Sequence, residues 1–301
     1  LTDIKHVLSV NPLRPEYQAG SGESHRGALV RESPTGRPSS RPSRSADGPS
    51  LEWVGFPEGL VEIGADGKGF TFDNERPRHR HFVEAFALAS RPVNNGEITA
   101  FIADGGYERG ELWLSEGWAT AQERGWTEPF YWEKKDGEWW TYTLAGARPV
   151  EPEETACHLT YFEADAYARW AGARLPSEQE WEVAAQGLEI VGNMARRGRF
   201  HPEVAAPPQS DGRAEPSAGS LRQMFGDVWE WTRSQYSPYP GYQALPGTLG
   251  EYNGKFMSNQ FVLRGGSCVT PDDHIRVTYR NFFPADAAWQ FSGIRLARDA
   301  G

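Results

Sequence analysis

Large rings scattered among glycines and prolines limit what this chain can become. Twelve Trp, 11 Tyr and 15 Phe share 301 residues with 33 Gly and 22 Pro. Rings of that size need partners to bury against, while Gly and Pro keep interrupting regular backbone. The expectation is an α+β fold rich in loops, with short strands, two main helices and large side chains pinning irregular segments. The two main helices announce themselves by capping boxes. Thr160 precedes Tyr161–Trp170 with Glu163 three residues on, and Ser177 precedes a second helix with Glu180 in the same relation. In that second helix Trp181, Val183 and Ala184 are expected to face inward.

Shorter signals fill the remainder. Gly59–Gly64 and His81–Leu88 alternate as strands do, and Asn94–Ile102 has helical spacing with Asn95 as its cap. Residues 105–150 read as irregular, with a hairpin turning at Asp136-Gly137. Further strands are expected at Val228–Thr232, Phe261–Arg264, Arg276–Arg280 and Gly293–Ala297. At the start, Ile4, Val7 and Leu8 fall on one helical face that stops at Asn11-Pro12, so residues 1–13 read as the end of a helix. Residues 14–50 are Ser, Pro, Gly and Arg with few large apolar side chains, the composition of a flexible linker. Residues 51–301 then form the main domain.

Charge narrows the partners. Against 31 Lys and Arg stand 41 Asp and Glu, a formal net charge of −10, and residues 1–50 hold 7 basic and 5 acidic side chains. The acidic balance therefore belongs to the body, which argues against a surface that tracks phosphates and so against nucleic acid. The loosely spaced Arg26, Arg31, Arg37, Arg41 and Arg44 lack the interleaved aromatics of a single-strand-binding arm. No apolar run reaches membrane-spanning length, and no secretory signal is visible. Two cysteines make no disulfide framework and no CxxC pair, so a reducing, cytoplasmic setting is expected.

Several groups invite chemistry. His79 and His81 share a strand face, but no third ligand stands at metal-binding spacing, so a satisfied histidine pair is expected. Cys157 and Cys268 sit among small and apolar residues as inert thiols. Glu178, Glu180 and Glu182 at a helix start read as cap and dipole partners. Tyr236, Tyr239 and Tyr242 lie on a Pro/Gly-stiffened loop that either lines a pocket or makes a rigid surface corner. Tyr279–Pro284 places an amide and two rings beside a turn, suited to clasping a small zwitterion.

Four blocks, in order, resemble the formylglycine-generating-enzyme (sulfatase-modifying factor) superfamily. They are Ala173–Glu182, Gly226–Thr232, Arg264–Ser267 and Gly293–Ala297. The resemblance spans about residues 52–299 and implies a C-type-lectin-like fold. Leu1–His6, Asp104–Tyr107, Glu111–Ser115, Tyr236–Tyr242 and Tyr279–Pro284 are more specifically similar to the hercynine oxygenases of ergothioneine biosynthesis. That likeness implies an Fe(II)- and O2-dependent sulfoxide synthase joining trimethylhistidine to a small thiol. It assigns the iron to three histidines of an upstream DinB-like helical domain, whose last helix would be residues 1–13, so no cofactor is expected within this chain and the isolated fragment is expected to be inactive. Asn281 and Phe282 are implied to hold trimethylhistidine, and Tyr239, chosen over Tyr236 and Tyr242, to be the catalytic tyrosine. Where some members carry Asp for γ-glutamylcysteine, this chain has Phe283. With Trp289 as a further apolar wall and Arg280 as the nearby cation, a smaller thiol such as cysteine is favoured. A copper-dependent formylglycine-generating oxidase needs two close cysteines late in the chain, and only Cys268 follows Arg264. A non-catalytic lectin-like binding module is the remaining alternative.

Overall fold

The computed structural model describes residues 1–17, 51–207 and 220–300. Most of the expected linker, with its five arginines, lies outside the described residues. In chain order the elements are α1 (Thr2–Ser9), β1 (Trp53–Phe56), β2 (Gly59–Ile63), β3 (His79–Val83), β4 (Phe86–Ala89), α2 (Asn95–Ala103) and α3 (Ser115–Arg124). There follow β5 (Trp132–Lys135), β6 (Glu138–Thr143), β7 (Gly146–Pro149), α4 (Tyr161–Trp170), α5 (Glu178–Ala185) and β8 (Trp229–Gln235). The last are α6 (Thr248–Lys255), β9 (Gln260–Arg264), β10 (Asn281–Pro284), β11 (Ser292–Gly293) and β12 (Ala297–Asp299). Short strands gather into four small sheets, ordered β1-β4-β12, β10-β9-β8-β11, β2-β3 and β5-β6-β7. The arrangement is α+β, and none of the described helices is long and apolar enough to cross a membrane.

Local chemistry explains the elements that match expectation. Thr160 Oγ1 accepts from the Glu163 N–H at 3.1 Å, and Ser177 Oγ from the Glu180 N–H at 3.1 Å, so both boxes close. Asp136 and Gly137 both take positive φ, 50° and 87°, the twist that a two-residue hairpin between β5 and β6 requires. The cap of α2 is Asn94 rather than Asn95: the Asn94 side chain accepts from Glu97 N–H at 2.9 Å, while Asn95 is already helical. The long alternation at 81–88 is two strands, with β3 pairing to β2 and β4 to β1 and β12. Helix α3 lies inside the segment expected to be irregular.

The core joins both halves of the chain around Phe86, Phe101, Trp181, Phe225, Trp231 and Ile294. Its rings are tethered at their polar ends as well as packed. Trp231 Nε1 donates to Leu159 O (2.8 Å) and Trp113 Nε1 to Gly106 O (2.9 Å). Trp181 Nε1 donates to Glu230 Oε2 (2.7 Å), and Glu230 is held in turn by Arg295, both side chains being wholly buried. The strand expected at 276–280 does not form. Arg264 Nη1 takes the carbonyls of Val277 and Tyr279, at 3.0 and 3.2 Å, and a strand partner would need those acceptors. Pairing begins one step later, with Asn281 opposite Leu263.

Removing one cap isolates its contribution. Ser177→Ala should lower unfolding free energy by about 1 kcal/mol, read as a lower urea midpoint with an unchanged m-value.

Candidate functional site

Glu178, at the first turn of α5, organises the region where several expected site residues meet. Arg280 grips it with two bonds, Nε to Oε2 at 2.7 Å and Nη2 to Oε1 at 2.9 Å. Arg264 Nη2 donates to the same carboxylate at 3.1 Å and to Glu182 Oε2 at 2.9 Å. All four side chains are buried. Burial alone would raise the Glu178 carboxyl, but the two guanidiniums outweigh it and hold the group below its ordinary range. Glu182 goes the other way: burial dominates and raises it, despite Arg264 and the Gly64 N–H.

Tyr239 belongs to this network. Its hydroxyl donates to Glu178 Oε2 and accepts from Arg264 Nη2, both at 3.1 Å, and the Arg280 guanidinium lies 4.0 Å above its ring. Burial, reinforced by Glu178, raises the phenol. The other loop phenols are engaged too: Tyr236 accepts from Asn74 Nδ2 (2.9 Å) and Tyr242 donates to Asp73 Oδ2 (3.1 Å). The stiff aromatic loop is thus laced to the turn at residues 73–75. Arg280 completes the lacing by donating to Asn74 O and Ser237 O. Pointing into the fold, it is committed to protein on all three guanidinium nitrogens.

A cavity of about 470 Å³ lies elsewhere, under α1. Asp3, His6 and Val7 of α1 form one wall. Trp126, Glu128 and Phe130, between α3 and β5, form another, and Asp286, Ala288 and Trp289 after β10 close the third. Glu163 contributes from beneath, where it caps α4 and accepts from Tyr107 Oη at 2.6 Å. Burial raises its carboxyl. Arg124 at the rim pairs with Asp286 at 2.7 Å. The enclosure therefore offers three large rings and four carboxylates against one guanidinium that already has a partner.

Of the residues singled out from sequence, Trp289 lines this cavity. Phe283 backs it, its ring edge-on to Trp289 at 5.8 Å. Phe282 points the other way and stacks on Tyr236 at 4.0 Å. Asn281 is half-buried at the start of β10, its Oδ1 accepting from the Phe282 N–H. Arg280 and Tyr239 sit in the ionic network, outside the cavity lining. Sequence reasoning missed Asp3, His6, Trp126, Glu128 and Asp286. The tryptophan density before β5 was the available signal, but nothing local joins it to α1. His79 Nδ1 faces Pro77 O at 3.1 Å and its ring rests on Tyr239, a satisfied histidine. Both cysteines are free and buried, and burial pushes the Cys157 thiol up to about 12. Among the described residues no three His, Cys, Asp or Glu side chains gather as a metal site would require. Iron therefore has no fitting donor set among them.

The sulfatase-modifying factor enzyme 1-like domain model matches residues 39–300, and the chain belongs to that family. Within it, the chain is 40% identical over 251 residues to the hercynine oxygenase of Mycolicibacterium thermoresistibile, covering 76% of this chain and 54% of that protein. To the Mycobacterium tuberculosis hercynine oxygenase it is 37% identical, covering 80% and 59%. The chain thus spans little more than half the length of these relatives. The formylglycine-generating enzyme of Bos taurus is 26% identical, over 96% of this chain and 84% of that one. Two solved structures show the shared C-type-lectin-like fold. PvdO from Pseudomonas aeruginosa has a TM-score of 0.53 at 18% identity, covering 84% of this chain and 99% of that one. Treponema denticola variable protein 1 scores 0.55 at 14% identity, covering 83% and 95%.

The network makes Arg280 a stability residue first. Arg280→Met should cost about 3 kcal/mol or more, because it leaves Glu178 buried with half its compensation. Arg280→Lys should restore little of it, since an ammonium lacks the planar fork. Denaturation of both variants without any ligand measures this.

Proposed function

We propose that this chain is the substrate-holding part of a hercynine-oxygenase-type sulfoxide synthase, and that the cavity under α1 seats the trimethylammonium end of trimethylhistidine. The observation that carries the reading is the wall chemistry. A quaternary ammonium has no N–H to donate, so ring faces and nearby carboxylates recognise it. Trp126, Phe130 and Trp289 with Asp3 and Glu128 supply both. The 37–40% identity to hercynine oxygenases supports the same substrate class.

In this reading Asn281, on the same face of β10 as Phe283, holds the substrate through its side-chain amide, while Phe282 packs behind on Tyr236. Phe283 and Trp289 make the apolar side against the thiol. Tyr239 and Arg280 act by holding the aromatic loop, since in this geometry neither lines the cavity. Iron and O2 chemistry belong to polypeptide beyond the described residues, and the setting is cytoplasmic, in keeping with two free thiols. The oxidase alternative needs reactive thiolates, whereas burial raises both cysteines here.

Calorimetry on the 301-residue chain tests the binding claim. Trimethylhistidine should bind and histidine should bind at least tenfold more weakly, a difference of about 1.4 kcal/mol. Trp289→Ala should erase that difference, and equal affinity for both ligands would overturn the reading. In a protein that also supplies the iron-binding part, cysteine should be turned over with higher kcat/KM than γ-glutamylcysteine, because Arg280 is spent on Glu178 and Arg124 on Asp286. A tenfold preference for γ-glutamylcysteine would refute that assignment and point to Arg124 as the cation that takes the extra carboxylate.

A further inference from the structure

Helix α1 meets the body in an unexpected way. Two of its apolar residues stay exposed, Ile4 at 40% and Val7 at 65%, while Lys5 is the one buried residue of the helix. The Lys5 Nζ lies 2.6 Å from His158 Nε2, over the ring of Tyr131 at 4.6 Å and that of Phe291 at 5.0 Å. His6, on the next position, stacks on Phe130 at 5.7 Å and reaches Tyr131 Oη at 3.2 Å. His158 itself is held at φ +64°, a left-handed backbone region that non-glycine residues seldom enter. An eight-residue helix does not hold itself in place, and none of the apolar side chains of this one is fully buried.

We propose that Lys5 is a positioning residue: its amine, seated on His158 between Tyr131 and Phe291, docks α1 so that Asp3, His6 and Val7 close one wall of the cavity. The docking stands on the contacts alone, and its effect on a ligand rests on the function proposed above. A buried amine with no carboxylate against it makes the contact sensitive to protons. The groups around Lys5 and His158 are Tyr131, Cys157, Cys268 and Arg148, with His201 and Glu154 behind them and Asp3 and His6 on α1 itself. Burial lowers His158 and His201, so both imidazoles stay neutral above pH 7. Burial raises Tyr131 and both thiols, so these stay protonated below pH 10. Glu154 stays ionised, because His201 and Arg148 outweigh its burial. Of the buried groups around His158, Lys5 is the one brought between pH 7 and 9, with burial lowering it from 10.5 to about 8. Once α1 is released, the amine regains its higher value. From about pH 8 up to 10.5 the docked state therefore binds fewer protons than the released state, and docking tightens as pH rises.

Amide hydrogen exchange of α1 in the 301-residue chain, corrected for the base-catalysed chemical step, reads the opening constant directly. It should fall about tenfold between pH 7 and 9. Lys5→Met, whose thioether suits a slot between two rings, should keep α1 protected and abolish the pH dependence. Lys5→Gln serves the same purpose should the methionine variant fold poorly. Lys5→Glu should release α1 while the exchange of β8 and β9 stays unchanged. An unprotected α1 in the parent chain, or the same pH slope in Lys5→Met and Lys5→Gln, would overturn the anchor. Trimethylhistidine calorimetry on Lys5→Glu then tests the wall. Weaker binding supports it, and unchanged binding with α1 released removes α1 from the ligand site. If the parent chain binds no trimethylhistidine, the functional reading fails while the exchange result still decides the anchor.

Discussion

Glu178, clasped between Arg280 and Arg264, is the contact on which the arrangement around it depends. Through these three side chains α5, β9, the turn at 73–75, the aromatic loop after β8 and the start of β10 are fixed to one another. Strands this short contribute few ladder bonds, and the loops between them add only isolated bridges. Charged forks with several donors do that work instead, reaching carbonyls that no strand serves. Isolated buried ions would be costly, and it is the completeness of their bonding that makes them tolerable. Glu230 and Arg295 repeat the device on the other side of Trp181.

The cavity under α1 is built on a different principle. Its walls come from three remote segments that share no ladder, and ring faces rather than ion pairs dominate them. The rigid network and the aromatic enclosure meet along β10. There Phe282 packs toward the laced loop and Phe283 toward Trp289, as alternation on a strand requires. One strand thereby carries rigidity from the ionic side to the side with space for a ligand.

What the sequence made legible was mostly local. Thr160 with Glu163, Ser177 with Glu180, and Asp136-Gly137 encode their structures within four residues, and each is found where expected. The four motif blocks gave the family. What stayed hidden depended on distant partners. Glu178 and Glu182 look like helix-start carboxylates until Arg264 and Arg280 are brought beside them. Arg276–Arg280 alternates like a strand but loses its carbonyls to Arg264. Periodicity put Ile4, Val7 and Leu8 on one helical face, yet Lys5 is the residue taken in, because only the folded molecule sets Tyr131, His158 and Phe291 around it. Trp289, singled out from the sequence, lines the cavity together with Asp3 and Trp126, which lie more than a hundred residues away from it and were not singled out.

The sequence separation of these clasps bears on how the chain is made. Arg280 reaches Asn74, Arg276 reaches Glu75 and Arg295 reaches Ala89, each across about two hundred residues, and β12 is an edge partner of β4. On a ribosome that emits roughly 5–20 residues per second, the carboxylates of α5 and β8 emerge well before the arginines that neutralise them. For those seconds the acids are without their counterions, and an unpaired carboxylate stays in water rather than be buried alone. Arg264, Arg276, Arg280 and Arg295 therefore act as a fastening, closing on partners laid down far earlier in the chain.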